Sequence, residues 1–150
     1  MDVPYLEHNR EGLRSLRALI ERLSDEDLSR DIGDGWTVAV ALAHIAFWDR
    51  YLAARWDHAL REGLAAPEGL PDYVADFVNE ASLVGWRACP PREAAKQALA
   101  AAETIEKRLA ELDPALPAAA LAGGRPSLVD RSLHWLQHID QIERVVGAAG

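Results

Sequence analysis

The sequence has one cysteine, Cys89, and one methionine, Met1. A lone cysteine cannot form a disulfide within the chain, so the fold depends on a packed core. The position of the only methionine argues against Met/His ligation of a haem. Neither a His-Glu-x-x-His nor a Glu-x-x-His motif occurs. The first absence excludes a zincin-type protease, and the second argues against a di-iron carboxylate bundle.

Long apolar runs and clusters of basic residues are also missing. The longest apolar stretch, residues 38–48, is interrupted by His44 and is too short to span a bilayer. Residues 1–10 lack the apolar segment of a signal peptide, so we expect a cytoplasmic protein. The formal net charge of −8 repels phosphate backbones and anionic lipids. We therefore expect neither nucleic acid nor a membrane as a partner.

Helical periodicity dominates what is present. With 150 residues, of which 49% are hydrophobic, the chain has the size and composition of one globular domain, and we assign residues 1–150 to it. No strand pattern appears, so the predicted fold class is all-α. A four-helix bundle is the expected architecture, with an extra short helix in the 64–90 connection. The sequence does not decide between an up-and-down topology and one with a crossover. The predicted helices cover residues 4–23, 38–62, 72–87, 91–112 and a last segment that ends near 146.

Helix boundaries follow from capping residues and breakers. Thr37 is a good N-cap for the second long helix. Residues 24–35 are predicted to be a polar connection. Residues 113–126 contain three prolines and two glycines and are predicted to be a loop. Ser127 with Asp130 resembles a capping box at the start of the last helix.

Three histidines suggest a metal site. His134 and His138 lie four residues apart, on one face of the last helix, but such a pair alone is a weak signal. His44 lies in an apolar stretch of the second long helix, where a core histidine bonded to a neighbour is the alternative interpretation. Together the three imidazoles leave a fourth coordination position open, as in catalytic zinc sites. We predict that His44, His134 and His138 bind one metal ion.

Four further side chains are candidates for the surroundings of this metal. Asp130 precedes His134 by four residues and is placed either to accept its second ring N–H or to cap the helix. Gln141 is placed to orient a water or substrate, and Arg131 to receive an acidic substrate group or to form a surface salt bridge. Tyr51 shares a helix face with the histidine of the second helix and is either pocket wall or a hydroxyl donor to the site.

A longer pattern joins these residues: Gly35-Trp36-Thr37 leads into Ala43-His44, and His134-x3-His138-x2-Gln141 follows near the end. This pattern resembles the DinB-like superfamily, which includes the YfiT-type proteins, bacillithiol transferases and the N-terminal domain of mycothiol-dependent maleylpyruvate isomerase. The resemblance covers essentially the whole chain. It implies a four-helix bundle, a divalent metal such as zinc or nickel on the three histidines, and a homodimer.

The resemblance also implies an activity. Superfamily members with known activity are transferases or isomerases that use low-molecular-weight thiols, so the leading hypothesis is a metal-dependent thiol S-transferase acting on a small-molecule substrate. A metal-dependent hydrolase and a non-catalytic module that binds a metal or small molecule are the alternatives, and no catalytic base is identified. One departure is Asp140, where many relatives have glycine, and it affects how closely a substrate approaches the last helix.

Overall fold

The computed structural model describes residues 4–148. Within that range it contains seven α-helices and one pair of short strands, which confirms the all-α prediction. None of these helices combines the length and the apolar character that crossing a bilayer requires. The elements in chain order are α1 (Pro4–Arg22), α2 (Asp25–Leu28), β1 (Asp31–Gly33), β2 (Trp36–Thr37), α3 (Val38–Glu62), α4 (Asp72–Ala88), α5 (Pro91–Glu111), α6 (Ala115–Ala122), a 3-10 turn (Pro126–Leu128) and α7 (Ser132–Val146).

Four of the helices, α1, α3, α5 and α7, form a bundle. α3 packs along α5, α5 packs against α1, α1 against α7, and α7 returns to α3. Each contributes fully buried aliphatic side chains to the core, and burying one of them stabilises the fold by about 1.5–3 kcal/mol. One example from each helix is Leu16, Ile45, Ile105 and Ile142. α4 packs against α3 and is the helix predicted in the 64–90 connection.

α3 is the helix that carries the first histidine. The Thr37 hydroxyl accepts a hydrogen bond from the Val40 N–H at 3.2 Å, as the N-cap prediction requires. Gly63 ends the helix in the left-handed conformation, with φ = 68°. The 25 residues between these caps include no proline or glycine. Residues 38–46 are all buried, so His44 lies inside the bundle.

The prediction that the chain has no strands was wrong in one place. β1 and β2 pair antiparallel, with Asp31 opposite Thr37. Strands of three and two residues are too short for apolar alternation to show in a sequence. Because β2 runs directly into α3, this hairpin places Trp36 beside the buried start of α3. The hairpin turn contains three residues with positive φ, Gly33, Asp34 and Gly35.

Two further local predictions were wrong. Residues 115–122, predicted as loop, form α6. Pro117 is its third residue and lies in the first turn, where the missing N–H has no helical partner to lose. The predicted capping box at Ser127 is absent, because Ser127 lies within the 3-10 turn and α7 begins only at Ser132. A capping box occurs instead at Ser24, within the predicted connection 24–35, where it starts the short helix α2.

Candidate metal centre

Three imidazole rings meet where α3 faces α7. His44 projects from α3, and His134 and His138 project from successive turns of α7. The Nε2 atom of His134 lies 3.0 Å from Nε2 of His44 and 3.1 Å from Nε2 of His138. One ring nitrogen from each residue lies within 4.8 Å of the other two. The structure therefore brings together the three residues that the sequence singled out as metal ligands.

Burial keeps these rings uncharged. His44 and His138 are only 6% and 7% exposed. Desolvation, with the neighbouring His138 adding to it, lowers the pKa of His44 to about 3. Desolvation is also the main cause that lowers the pKa of His134 and the pKa of His138. Near neutral pH all three are neutral imidazoles, the form that binds metal ions.

Gln141 fixes the orientation of the His138 ring. Its Oε1 atom lies 3.0 Å from Nδ1 of His138. An amide oxygen only accepts, so Nδ1 carries the proton and the lone pair of Nε2 points at the other two histidines. The expected contact of Gln141 with a water or substrate stays a prediction, but its contact with the histidine is direct.

His44 is surrounded by aromatic side chains that leave one of its ring nitrogens without a hydrogen bond. Trp36 and Trp86 pack against the ring, with centroid distances of 4.9 and 5.4 Å. Its Nδ1 atom is buried and has no hydrogen-bond partner among residues 4–148. A buried polar atom without a partner costs about 1–3 kcal/mol. His44 has the half-buried His134 as its hydrogen-bonding neighbour and leaves Nδ1 without a partner, an environment that suits a metal ligand better than a core residue.

Arg131 contacts the back of the His134 ring. Its Nη2 atom lies 3.1 Å from Nδ1 of His134, and arginine can only donate. In this arrangement the proton of the neutral His134 ring is on Nε2. A metal ion at Nε2 requires the guanidinium Nη2 to move off Nδ1 or that proton to leave.

A buried ion pair holds Arg131 in place. Its Nε atom donates to Oδ1 of Asp49 at 2.9 Å, and the other carboxylate oxygen accepts from Nε1 of Trp135 at 2.7 Å. Asp49 is fully buried, and desolvation raises its pKa against the opposing effect of Arg131. The sequence analysis missed Asp49, although an acidic residue among the aromatic side chains of α3 was the available signal. The expected substrate contact of Arg131 stays a prediction, but its charge is already balanced.

The predicted hydrogen bond between Asp130 and His134 is not formed. Asp130 precedes α7, so helical spacing does not place its side chain beside His134. Its Oδ2 atom lies 2.8 Å from Nδ1 of His8, and Oδ1 accepts from the Ser132 hydroxyl. His8 of α1 is thus held by the buried carboxylate that precedes α7.

Two clefts border the histidines. A cleft of about 770 Å³ is lined by His44 and His134, and along α3 by Tyr51, whose hydroxyl accepts from Arg55 at 2.8 Å. Tyr51 is therefore a wall residue, and its donation to the site stays a prediction. A second cleft of about 540 Å³ lies on the His138 side. It is lined by the β1–β2 hairpin and the later part of α7, including Asp140, whose carboxylate pairs with Arg144 at 2.7 Å.

The comparison with protein families agrees with this geometry. The family model described as the mycothiol maleylpyruvate isomerase N-terminal domain matches residues 10–139. That range includes all three histidines, the whole of α3 and the first half of α7. No curated protein and no solved structure gave a match to the chain.

Proposed function

Because the chain belongs to the mycothiol maleylpyruvate isomerase N-terminal domain family, within the DinB/YfiT-like superfamily, we propose that it is a metal-dependent transferase of a low-molecular-weight thiol. The observation that carries this proposal is the convergence of three neutral imidazole nitrogens at the edge of a large cleft. Zinc or nickel as the metal, and a homodimeric assembly, are further proposals that rest on the superfamily resemblance alone.

In this proposal the histidines bind the metal and the residues of the cleft wall bind the substrate. His44, His134 and His138 would hold the ion, and three ligands leave one coordination position for an exogenous group. When bound, a divalent ion lowers the pKa of a thiol that coordinates it, so that the thiolate is available near neutral pH. The aromatic wall of the cleft, formed by Trp48 and Tyr51, would hold the apolar part of an electrophile and exclude water.

Hydrolysis ranks behind this proposal because the two buried carboxylates of the described residues, Asp49 and Asp130, are both engaged by other groups. Asp49 is the buried acid nearest in the hydrogen-bond network, and both of its oxygens are engaged by Arg131 and Trp135. Asp130 contacts His8 and Ser132 instead of the histidine cluster.

Metal analysis of protein purified without chelator tests the site. We expect about one equivalent of a divalent transition metal, and loss of that metal in His138→Ala without loss of helical circular dichroism. His58→Ala is the matched control, because His58 is exposed on α3, and this variant should keep its metal. Trace metal in the wild-type protein, or equal loss in both variants, contradicts the assignment.

Turnover separates the transferase from the other two hypotheses. Incubation with monochlorobimane and a panel of low-molecular-weight thiols should form the conjugate faster with the protein than without it, and His138→Ala should abolish the difference. A hydrolase would show no dependence on thiol. A binding module would show thermal stabilisation by the thiol but no product.

A further inference from the structure

The large cleft is basic inside although the protein as a whole is acidic. The formal net charge is −8, yet Arg55, Arg125 and Arg131 all line this cleft. The first two are half-buried and the third is buried. The two acidic residues on the cleft lining, Glu68 and Asp72, are exposed. Positive charge therefore lies on the inner wall and negative charge on the rim.

Two of these guanidinium groups have no charge partner. Arg55 donates to the Tyr51 hydroxyl and to the backbone carbonyl of Glu68, both at 2.8 Å. Arg125 donates to the backbone carbonyl of Pro67 at 2.6 Å. Neither forms an ion pair with a carboxylate within residues 4–148, whereas Arg131 is neutralised by its buried aspartate. The backbone carbonyls of the adjacent residues Pro67 and Glu68 thus hold the Arg125 and Arg55 guanidinium groups at the same wall of the cleft, without a carboxylate to balance their charge.

The helix α3 sets the distance between Arg55 and His44. His44, Trp48, Tyr51 and Arg55 are spaced by four, three and four residues, follow one face of the helix, and all line the cleft. Eleven residues correspond to about 16 Å along a helix axis. The cleft therefore has a histidine end, an aromatic middle and a guanidinium end.

We propose that Arg55 and Arg125 form an oxyanion subsite, so that the cleft takes an elongated molecule with a carboxylate or phosphate at the end away from the histidines. Guanidinium groups pair such oxyanions through two parallel N–H···O bonds. A half-buried wall weakens solvent screening, so the two uncompensated charges act strongly on an anion. The proposal rests on the proposed function only for the group that reaches the histidines, because the subsite itself needs no metal.

Calorimetric titration with three eight-carbon probes tests this subsite: octanoate, suberate and 8-phosphonooctanoate. In zinc-loaded protein, octanoate can occupy one end, whereas the other two probes can occupy both. We expect suberate or 8-phosphonooctanoate to bind roughly tenfold more tightly than octanoate. The probe with the larger gain identifies the oxyanion. The double variant Arg55→Gln/Arg125→Gln should remove the gain.

The control is the double variant Arg50→Gln/Arg61→Gln, which removes the same charge from exposed positions of α3 that do not line the cleft. It should bind all three probes like the wild type. Equal affinities of the three probes for zinc-loaded wild type, or equal losses in the two double variants, would overturn the proposal. Arg55→Lys and Arg125→Lys keep the positive charge but lose the paired N–H donors of the guanidinium group. They replace the glutamine variants if the double glutamine variant does not fold.

Titration after chelator treatment separates this proposal from the proposed function. Without metal, the carboxylate of octanoate has only the guanidinium end, so suberate and octanoate should bind alike. Arg55→Gln/Arg125→Gln should weaken both by roughly tenfold. That result in a protein that takes up no metal would support the oxyanion subsite and contradict the metal site. Unchanged octanoate affinity in the metal-free variant would contradict the subsite.

Discussion

His44 lies between Trp36 and Trp86, where a charged imidazolium would lose most of its hydration. Burial at this position favours metal binding but makes the fold sensitive to acid. It keeps the ring in the neutral form that metal binding needs, and it makes protonation of the folded state unfavourable. The same cause acts on His134 and His138, so all three rings contribute to the response of the fold to pH.

Metal-free protein should lose stability as the pH falls below about 6.5 towards about 3. The ordinary pKa of histidine is 6.5, whereas that of His44 in the fold is about 3. Between these values the unfolded chain binds a proton that the folded chain does not, so acid favours unfolding. Each such ring changes the free energy of unfolding by up to about 1.4 kcal/mol per pH unit. Urea denaturation at several pH values, with chelator present, measures this slope.

Variants assign the slope to the buried rings. His44→Leu should reduce the pH dependence, and His58→Leu, at an exposed position on the same helix, should leave it unchanged. Equal slopes in His44→Leu and the wild type would mean that His44 is protonated in the folded state. Asp49, whose pKa burial raises, is present in both proteins, so its effect cancels in the comparison.

At the residue scale, the convergence of the three histidines could be predicted and their surroundings could not. A histidine in an apolar helix, together with a pair four residues apart, is visible in the sequence. The contacts of Asp130 and Arg131 depend on where α7 begins, and the capping pattern at Ser127 suggested an earlier start. Asp49 meets Arg131 across 82 residues of chain, and no local pattern announces such a pair.

Close packing between α1 and α7 supports the position of the two histidines on α7. Gly12 of α1 faces the first turn of α7, and a Cβ atom at this position would lie 2.9 Å from Cβ of Ser132 and 3.1 Å from Cε3 of Trp135. The absence of a side chain lets the two helix backbones approach. The first turn of α7, which contains His134, is thereby packed against α1, one turn before His138.

Gly12→Ala should destabilise the protein by about 1–3 kcal/mol, because the added methyl group must separate α1 from α7. Gly85→Ala is the matched substitution, since a Cβ atom at Gly85 on α4 would meet nothing within 4 Å. It should stabilise the protein by about 0.5–1 kcal/mol, because alanine favours the helix over glycine. Thermal or urea denaturation of the two variants measures both effects, and changes of the same sign would contradict this account of the helix contact.

At the element scale, length separates the successful predictions from the failures. The long helices α1, α3 and α5 end within about one residue of their predicted bounds, since many apolar positions repeat along each. The two strands and α2 have two to four residues each, which is too few for a period to be recognised. Pro114 and Pro117 suggested a loop, but a helix tolerates both. Pro114 directly precedes α6, and Pro117 lies in its first turn, where proline is tolerated.

The hydrophobic core of the molecule does not depend on the histidine cluster. The buried core residues come from all four long helices and include neither His44 nor His138. Chelator treatment should therefore leave the helical circular dichroism unchanged. Added zinc should raise the free energy of unfolding by mass action, by about 2.7 kcal/mol when free zinc is 100 times its dissociation constant. Unfolding on chelation would make the metal structural and would contradict a catalytic role.

The three clustered histidines lie far apart in the chain, with His44 in α3 and the other two in α7, more than 80 residues later. During synthesis the early helices exist before the late one has been made. The histidine cluster is therefore completed only when the last helix joins the others. Uptake of a spectroscopically visible ion such as cobalt would report the moment at which that final docking occurs, and would distinguish a three-helix intermediate from the finished bundle.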